Sequence, residues 1–509
     1  MHRRDFFKTS AQAAAAGGVI SVCPTSGLAT DAPAGDADTP AVLKSYTATD
    51  HRRRLQNIAV CTQKIRTYMR KHLVTNYLPG HCCYNLGEYP CRKPWEIGEY
   101  DEEELDRLKD HGIQLIQVFD DWNDSLRLFG GDKYTALNPA GFRRFLEMAH
   151  RRGMKVLAYA STGFLQWTDP DFRQEWSPEG SRCSLGFWDM ARCAPNSPGW
   201  RAYLLPRITR ILNEYDVDGI YIDAGYFTNA AKEKMPEGSP LKKPAKDELA
   251  AFEETAQYDG ALTDLLALIY GEVHRRGGIL KLHVDGALEP QTAGRRVYDY
   301  LWVGEGVRDA DGMRQRVKNH TPYVIPCIDM SFATVDDAGD HFLHAIPYLQ
   351  FPILHAGKPF TGERAMIPGV KYVSDDDFWM RRCREVWKYH QEHPDGPHVY
   401  SGWDSATPRA DTRPTHAHWL KQYRPLVEEG TWAFLEIGDS DLLARPLPGD
   451  CVASVFANRD LHMVLANYSN SPQPIETAEP YVAVDTPSAA PAKLWQLPKR
   501  SLKILKRSA

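Results

Sequence analysis

Beyond the alanine-rich stretch that ends at Val22, this sequence has no run approaching the ~20 uncharged apolar residues needed to span a bilayer, so a membrane-spanning helix is excluded there. An excess of either charge is missing as well. With 61 Lys+Arg against 66 Asp+Glu the formal net charge is -5, which offers no electrostatic attraction for nucleic acid or an anionic membrane. Cysteine is sparse, at 10 residues in 509, and nine of them follow Cys23. His81, Cys82 and Cys83 are followed by no second pair at zinc-like spacing, so no metal is expected, and nothing in the sequence asks for a cofactor. Cys183 and Cys193 lie close enough in sequence to staple one loop, and Cys82 with Cys91 is a second such pair. Internal repeats of solenoid or propeller type are absent.

What is present begins at the N-terminus. Arg3-Arg4-Asp5-Phe6-Phe7-Lys8 precedes the uncharged run Thr9–Val22, and Gly27-Leu28-Ala29 presents small residues where a signal peptidase reads. This order is that of a twin-arginine signal over residues 1–29, followed by an Asp/Ala/Pro-rich flexible leader over 30–49. It implies passage through the Tat translocon and a periplasmic or secreted mature protein with no membrane association.

From Leu73 to His355, short apolar or β-branched runs alternate with amphipathic segments, the pattern of consecutive βα units around a parallel sheet. The runs predict strands at Leu73–Leu78, Ile113–Phe119, Lys155–Ala160, Val217–Ile222, Ile279–Val284, Tyr300–Gly304, Tyr323–Ile328 and Tyr348–Leu354. Eight closes a (β/α)8 barrel of the TIM type. Between them, Phe142, Phe145, Leu146 and Ala149 mark one buried helix face behind the Asn138-Pro139 cap, and Trp200–Tyr215 repeats the arrangement. After Tyr389 the pattern changes to short strands such as Val452–Phe456 and Leu461–Ala466, separated by turn residues. The reading is an α/β barrel over 50–394 and an all-β sandwich domain over 395–509.

Side chains at the C-terminal ends of barrel strands converge on one pocket, so acids there carry more meaning than acids elsewhere. Five of the expected strands end that way, at Asp120-Asp121, Asp223, Asp285, Glu305 and Asp329. Strand parity sends Gly219, Tyr221 and Asp223 inward in the fourth strand, and Lys281, His283 and Asp285 inward in the fifth. Each of these acids also suits a helix cap, and the Lys/His/Asp row suits a structural ion-pair network. The 11% aromatic content serves a large core as readily as it serves flat sugar faces.

The segment Glu214-Tyr215-Asp216-Val217-Asp218-Gly219-Ile220-Tyr221-Ile222-Asp223, preceded by Cys193-Ala194-Pro195-Asn196-Ser197-Pro198-Gly199-Trp200-Arg201, resembles the fourth-strand region of retaining glycosidases related to α-galactosidases, α-glucosidases and α-L-fucosidases. The resemblance implies an Asp nucleophile at Asp223 and an acid/base after the sixth strand, where Glu305 stands. Asp120, Asp121, Trp122, Tyr159, Trp167, Trp188, Tyr221, Lys281, His283, Asp285 and Asp329 are then candidates for holding carbohydrate. Two departures stand out: the α-galactosidases carry Lys where Tyr221 stands, and their acid/base is an Asp. The α-amylase pattern, with Arg at that position, fits less well. A non-catalytic carbohydrate-binding barrel and a metal-dependent hydrolase or deacetylase using His283 and Asp285 remain rival readings.

Replacing Arg3 and Arg4 with lysine is expected to leave uncleaved precursor in the cytoplasm. Cell fractionation and immunoblotting check this, and normal export of the variant overturns the signal assignment.

Overall fold

A computed structural model of the chain describes residues 46–87, 95–125, 127, 129–177, 182–185, 188–223, 258–283, 297–304, 307, 309–318, 320, 323–328, 335–358, 392–393 and 410–508. The expected signal peptide lies outside these residues. No described helix is long and apolar enough to cross a membrane.

Eight parallel strands form a (β/α)8 barrel: His81–Asn85, Leu115–Val118, Lys155–Ser161, Gly219–Asp223, Ile279–His283, Tyr300–Val303, Val324–Pro326 and Leu354–Gly357. We number them one to eight in chain order. The eighth pairs with the first, and the ladder then runs unbroken from the first to the seventh. Between the seventh and the eighth, the Ile353 amide donates to the Pro326 carbonyl at 3.0 Å.

Local sequence explains the flanking helices. Asn138 accepts from the Gly141 amide at 2.9 Å with Pro139 in the first turn, and Phe142, Phe145, Leu146 and Ala149 are buried as their spacing requires. Ser197 caps the helix Pro198–Glu214 in the same way, accepting from the Trp200 amide. Asp218, just before strand four, accepts from the Val156 amide and from His150 Nε2, each at 2.8 Å, and so pins strand four to strand three. Asp299 does the same one unit on, accepting from the Leu280 amide at 2.9 Å.

Two strand expectations need correction. The run Leu73–Leu78 is not the first barrel strand. Tyr68–Leu73 instead pairs antiparallel with Trp432–Ile437, at the edge of a second sheet, and the barrel begins at His81. Asn76, with φ of 53°, and the Pro79-Gly80 pair turn the chain between the two. The barrel strand hid because His81-Cys82-Cys83-Tyr84-Asn85 has no β-branched residue, although all five are buried. At the other end, Ile346–Tyr348 is a 3-10 turn followed by Leu349 at φ 60°, which delays strand eight to Leu354.

The all-β module is one continuous antiparallel sheet of seven strands, in the order Tyr68–Leu73, Trp432–Ile437, Cys451–Ala457, Leu461–Asn467, Ser501–Arg507, Gln473–Ala483 and Ala492–Leu497. The helix Ala48–Lys64 adds Cys61 to this sheet's core, and its Arg54 and Asn57 donate to the carbonyls of Gly430 and Asn458. The boundary expected at residue 395 falls outside the described residues. The disulfide expectations fail at Cys82 and Cys193, which are both free and fully buried. Each packs within the barrel's apolar core.

Strands four and five approach closely at Gly219, whose φ is 154°. A Cβ there would lie 1.8 Å from the Ile279 carbonyl oxygen. Gly219→Ala is therefore expected to cost about 3 kcal/mol or more through overpacking and backbone strain. Urea denaturation measures this, and a loss below about 1 kcal/mol contradicts the close approach.

Candidate active site

Asp223 ends strand four at the C-terminal mouth of the barrel, where one quarter of its side chain is exposed. Both of its oxygens are engaged. The Tyr159 hydroxyl donates to Oδ2 at 2.7 Å, and His283 Nδ1 lies 3.2 Å from Oδ1. Register produces this grouping, since Tyr159 sits beside Tyr221 on strand three, and Asp223 faces His283 across the pairing of strands four and five. The inward parity expected for Tyr221, Asp223, Lys281 and His283 thus matches their contacts.

Aromatic rings hold His283 from behind. Its centroid lies 3.9 Å from that of Trp302 on strand six, and Tyr221 stacks on it at 6.1 Å. The edge contact with Trp302 and the stacked Tyr221 hold the imidazole beside the carboxylate. Lys133, in the loop after strand two, is a contributor that the sequence reading missed. It is buried, its ammonium donates to the Phe164 carbonyl at 2.7 Å, and burial lowers its pKa to about 8 against the opposing pull of Asp223 and Asp120. Lys133 brings a positive charge to the carboxylates from a loop in which no periodicity marks an inward position.

The other candidates separate by depth. Asp120 is buried in the short turn after strand two, within the field of Lys133. Trp167 is half-buried with its ring 4.8 Å from Phe172, and Trp188 opens the middle strand of a small sheet formed by Phe164–Gln166, Trp188–Arg192 and Arg182–Leu185. Tyr221 and Lys281 lie inside the barrel, beneath the mouth, and Lys281 reaches His81 Nδ1 at 3.4 Å. Burial lowers the Lys281 pKa to about 7, so near neutrality much of this amine is uncharged.

Two assignments are corrected by packing. Trp122 is fully buried, donates Nε1 to the Tyr159 carbonyl at 2.9 Å and stacks on Phe142, so it is a core residue and presents no face to a sugar. Asp121 is buried too, and its Oδ2 accepts from the Leu86 and Gly87 amides at 2.6 and 2.9 Å. It clamps the loop after strand one and has no surface to offer a ligand. Glu305, Asp285 and Asp329 lie outside the described residues. Among the described residues, no group of three or more His, Cys, Asp or Glu is placed to hold a metal ion.

No protein-family model matches the chain. No curated protein matches it either. Solved structures do. A variant of MutB in complex with the substrate sucrose is 14% identical, with 84% of this chain and 98% of that one covered at a TM-score of 0.50. A trehalulose synthase MutB variant is 12% identical, with 84% and 99% covered at 0.49. A maltogenic α-amylase, AmyB from Thermotoga neapolitana, is 12% identical, with 84% and 98% covered at 0.48. At such identities the first likeness speaks for the fold alone, and the fold it supports is the barrel carrying a C-terminal antiparallel sheet.

Burial of Asp121 raises its carboxyl pKa from 3.8 to about 7 in spite of the two amides it accepts. A raised native pKa means that the folded protein holds a proton the unfolded chain has released, so this contribution is present below 3.8 and is lost as pH rises through about 7. Asp121→Asn keeps an acceptor for both amides and removes the titration. Its stability relative to wild type is expected to improve between pH 4 and pH 7, measured by urea denaturation across that range; a pH-independent difference contradicts the shift.

Proposed function

We propose that the chain is an exported glycoside hydrolase acting by a retaining two-carboxylate mechanism, with Asp223 as nucleophile and Glu305 as acid/base. The observation that carries this reading is the setting of Asp223. It is a partly exposed carboxylate at the mouth end of strand four, with one oxygen held by Tyr159 and the other beside His283. Such an anchored group can approach an anomeric carbon along one direction while its hydrogen-bond partners fix the other.

In the proposed reaction Asp223 attacks the anomeric carbon as Glu305 protonates the departing glycosidic oxygen, giving a glycosyl ester on Asp223. Glu305, now ionised, takes a proton from water. That water attacks the same carbon and releases Asp223, with net retention of configuration. Sugar hydroxyls would meet Asp120, Tyr159 and His283 around the mouth, with Asp285 and Asp329 as further candidates from the sequence, and Trp167 and Trp188 belong to the segment that follows strand three. The finer kinship with α-galactosidases, α-glucosidases and α-L-fucosidases rests on the fourth-strand motif. Export through the Tat translocon to the periplasm or beyond rests on Arg3-Arg4 and the run after them.

A screen of the purified protein against aryl glycosides supplies the substrate, after which the two carboxylates separate by their responses. Asp223→Ala is expected to lose activity on every substrate, by about 10⁴-fold or more, and added azide to restore turnover with inverted product. Glu305→Ala is expected to spare substrates whose leaving group needs no proton. Substantial activity in Asp223→Ala on a confirmed substrate overturns the assignment. No turnover of any glycoside, together with tight carbohydrate binding, favours the non-catalytic barrel.

A further inference from the structure

A cleft lies at the opposite end of the barrel from Asp223. It has a volume of about 600 Å³ and is framed by the N-terminal ends of barrel strands and the turn that leads to the second sheet. That volume is in the range of small-molecule sites, on a face of the barrel that ordinarily serves stability.

The charges around it are not balanced. Each of its carboxylates already has a partner: Asp299 accepts from the Leu280 amide and His274 Nε2, Glu428 pairs with Arg459 at 2.7 Å, and Glu429 accepts from the Asn76 amide at 2.6 Å. The two long-chain cations are left over. Arg424 donates one Nη to the Gly112 carbonyl, its Nε has no acceptor, and among the described residues no carboxylate pairs with it. Lys155, at the start of strand three, has no ion-pair partner among the described residues either. Burial accordingly depresses the Arg424 pKa with no anion to offset it. Gln114 also lines the cleft, and its Oε1 is buried without a donor.

From this unmatched set we infer that the cleft is a binding site for a small sugar carrying an oxyanion, a phosphate or a carboxylate. The guanidinium and the ammonium take the oxyanion. A guanidinium fork suits either planar carboxylate or phosphate oxygens, and a cleft of this size admits one or two sugar rings. The choice of a sugar rests on the carbohydrate reading proposed for the mouth, whereas the need for an anion rests on the cleft alone.

Calorimetric titration of the full-length mature protein with glucose 6-phosphate, glucuronate and glucose tests it. At least one of the two anions is expected to bind about tenfold or more tightly than glucose, with an affinity that falls as salt is added. Which anion binds identifies the oxyanion. K155Q and R424Q are each expected to weaken that binding about tenfold, and D223A to leave it unchanged. Lys155 is exposed at the rim, so K155Q decides the matter even if R424Q proves unstable. Equal affinity for glucose, no binding of either anion up to about 10 mM, or full affinity in K155Q overturns the inference.

Discussion

The contact between strands four and five at Gly219 is the constraint on which the upper barrel depends. With no side chain at 219, the Ile279 amide reaches the Asp218 carbonyl at 2.8 Å, and the two strands run in register from their first residues. Four residues later the same register sets Asp223 against His283. A slip by one residue would turn Asp223 and Tyr221 toward the helices and bring Ile222 inward, dismantling the mouth. Asp218 secures the other side of strand four, through Val156 and His150. The acid at the end of the strand is thus positioned by an acid and a glycine at its beginning.

Below the mouth the barrel is filled by polar side chains to an unusual degree. Lys281, His81, Cys83, Gln117, Cys327 and His355 are all buried there. An ammonium enclosed without a carboxylate would be costly, and the chain avoids that cost by letting the amine approach neutrality, with His81 as its neighbour. Burial likewise holds the His355 pKa down to about 3, and its Nε2 lies 3.8 Å from the Cys327 thiol. These groups are stable as uncharged donors and acceptors. Asp223 stands higher, where part of its surface is open.

This division explains what the sequence could and could not reveal. Six of the eight strands were legible because their apolar alternation is strong and glycine or capping residues bound them. The first was not: a histidine, two cysteines and an asparagine carry no β signal until burial on every side is known. Parity correctly turned Tyr221, Asp223, Lys281 and His283 inward, since it depends only on the period of a strand. It could not tell depth along the barrel axis, so Lys281 and Tyr221 were grouped with residues at the mouth. Trp122 and Asp121 were misplaced for a related reason. Loop residues after a strand end look alike in sequence whether they fold back over the helix core, as Trp122 does onto Phe142, or point to solvent.

The departure at Tyr221 has a structural counterpart. Position 221 is expected to hold a lysine from an α-galactosidase-like motif and an arginine from an α-amylase-like one. Here it is a phenol, enclosed by Tyr159, His283 and Trp302, and it brings no charge to Asp223. The positive field comes instead from Lys133, which enters from the loop after strand two and is anchored on the Phe164 carbonyl. A cation supplied by a loop is held by that loop's packing, through Asp124, whose carboxylate accepts from the Phe129 and Gly131 amides, and Asp132, which accepts from Tyr134 and Arg210. The field at Asp223 therefore depends on the fold of residues 124–135, whereas a charged residue at 221 would have fixed it within the strand itself. The strand keeps its register and its acid while the source of charge lies elsewhere.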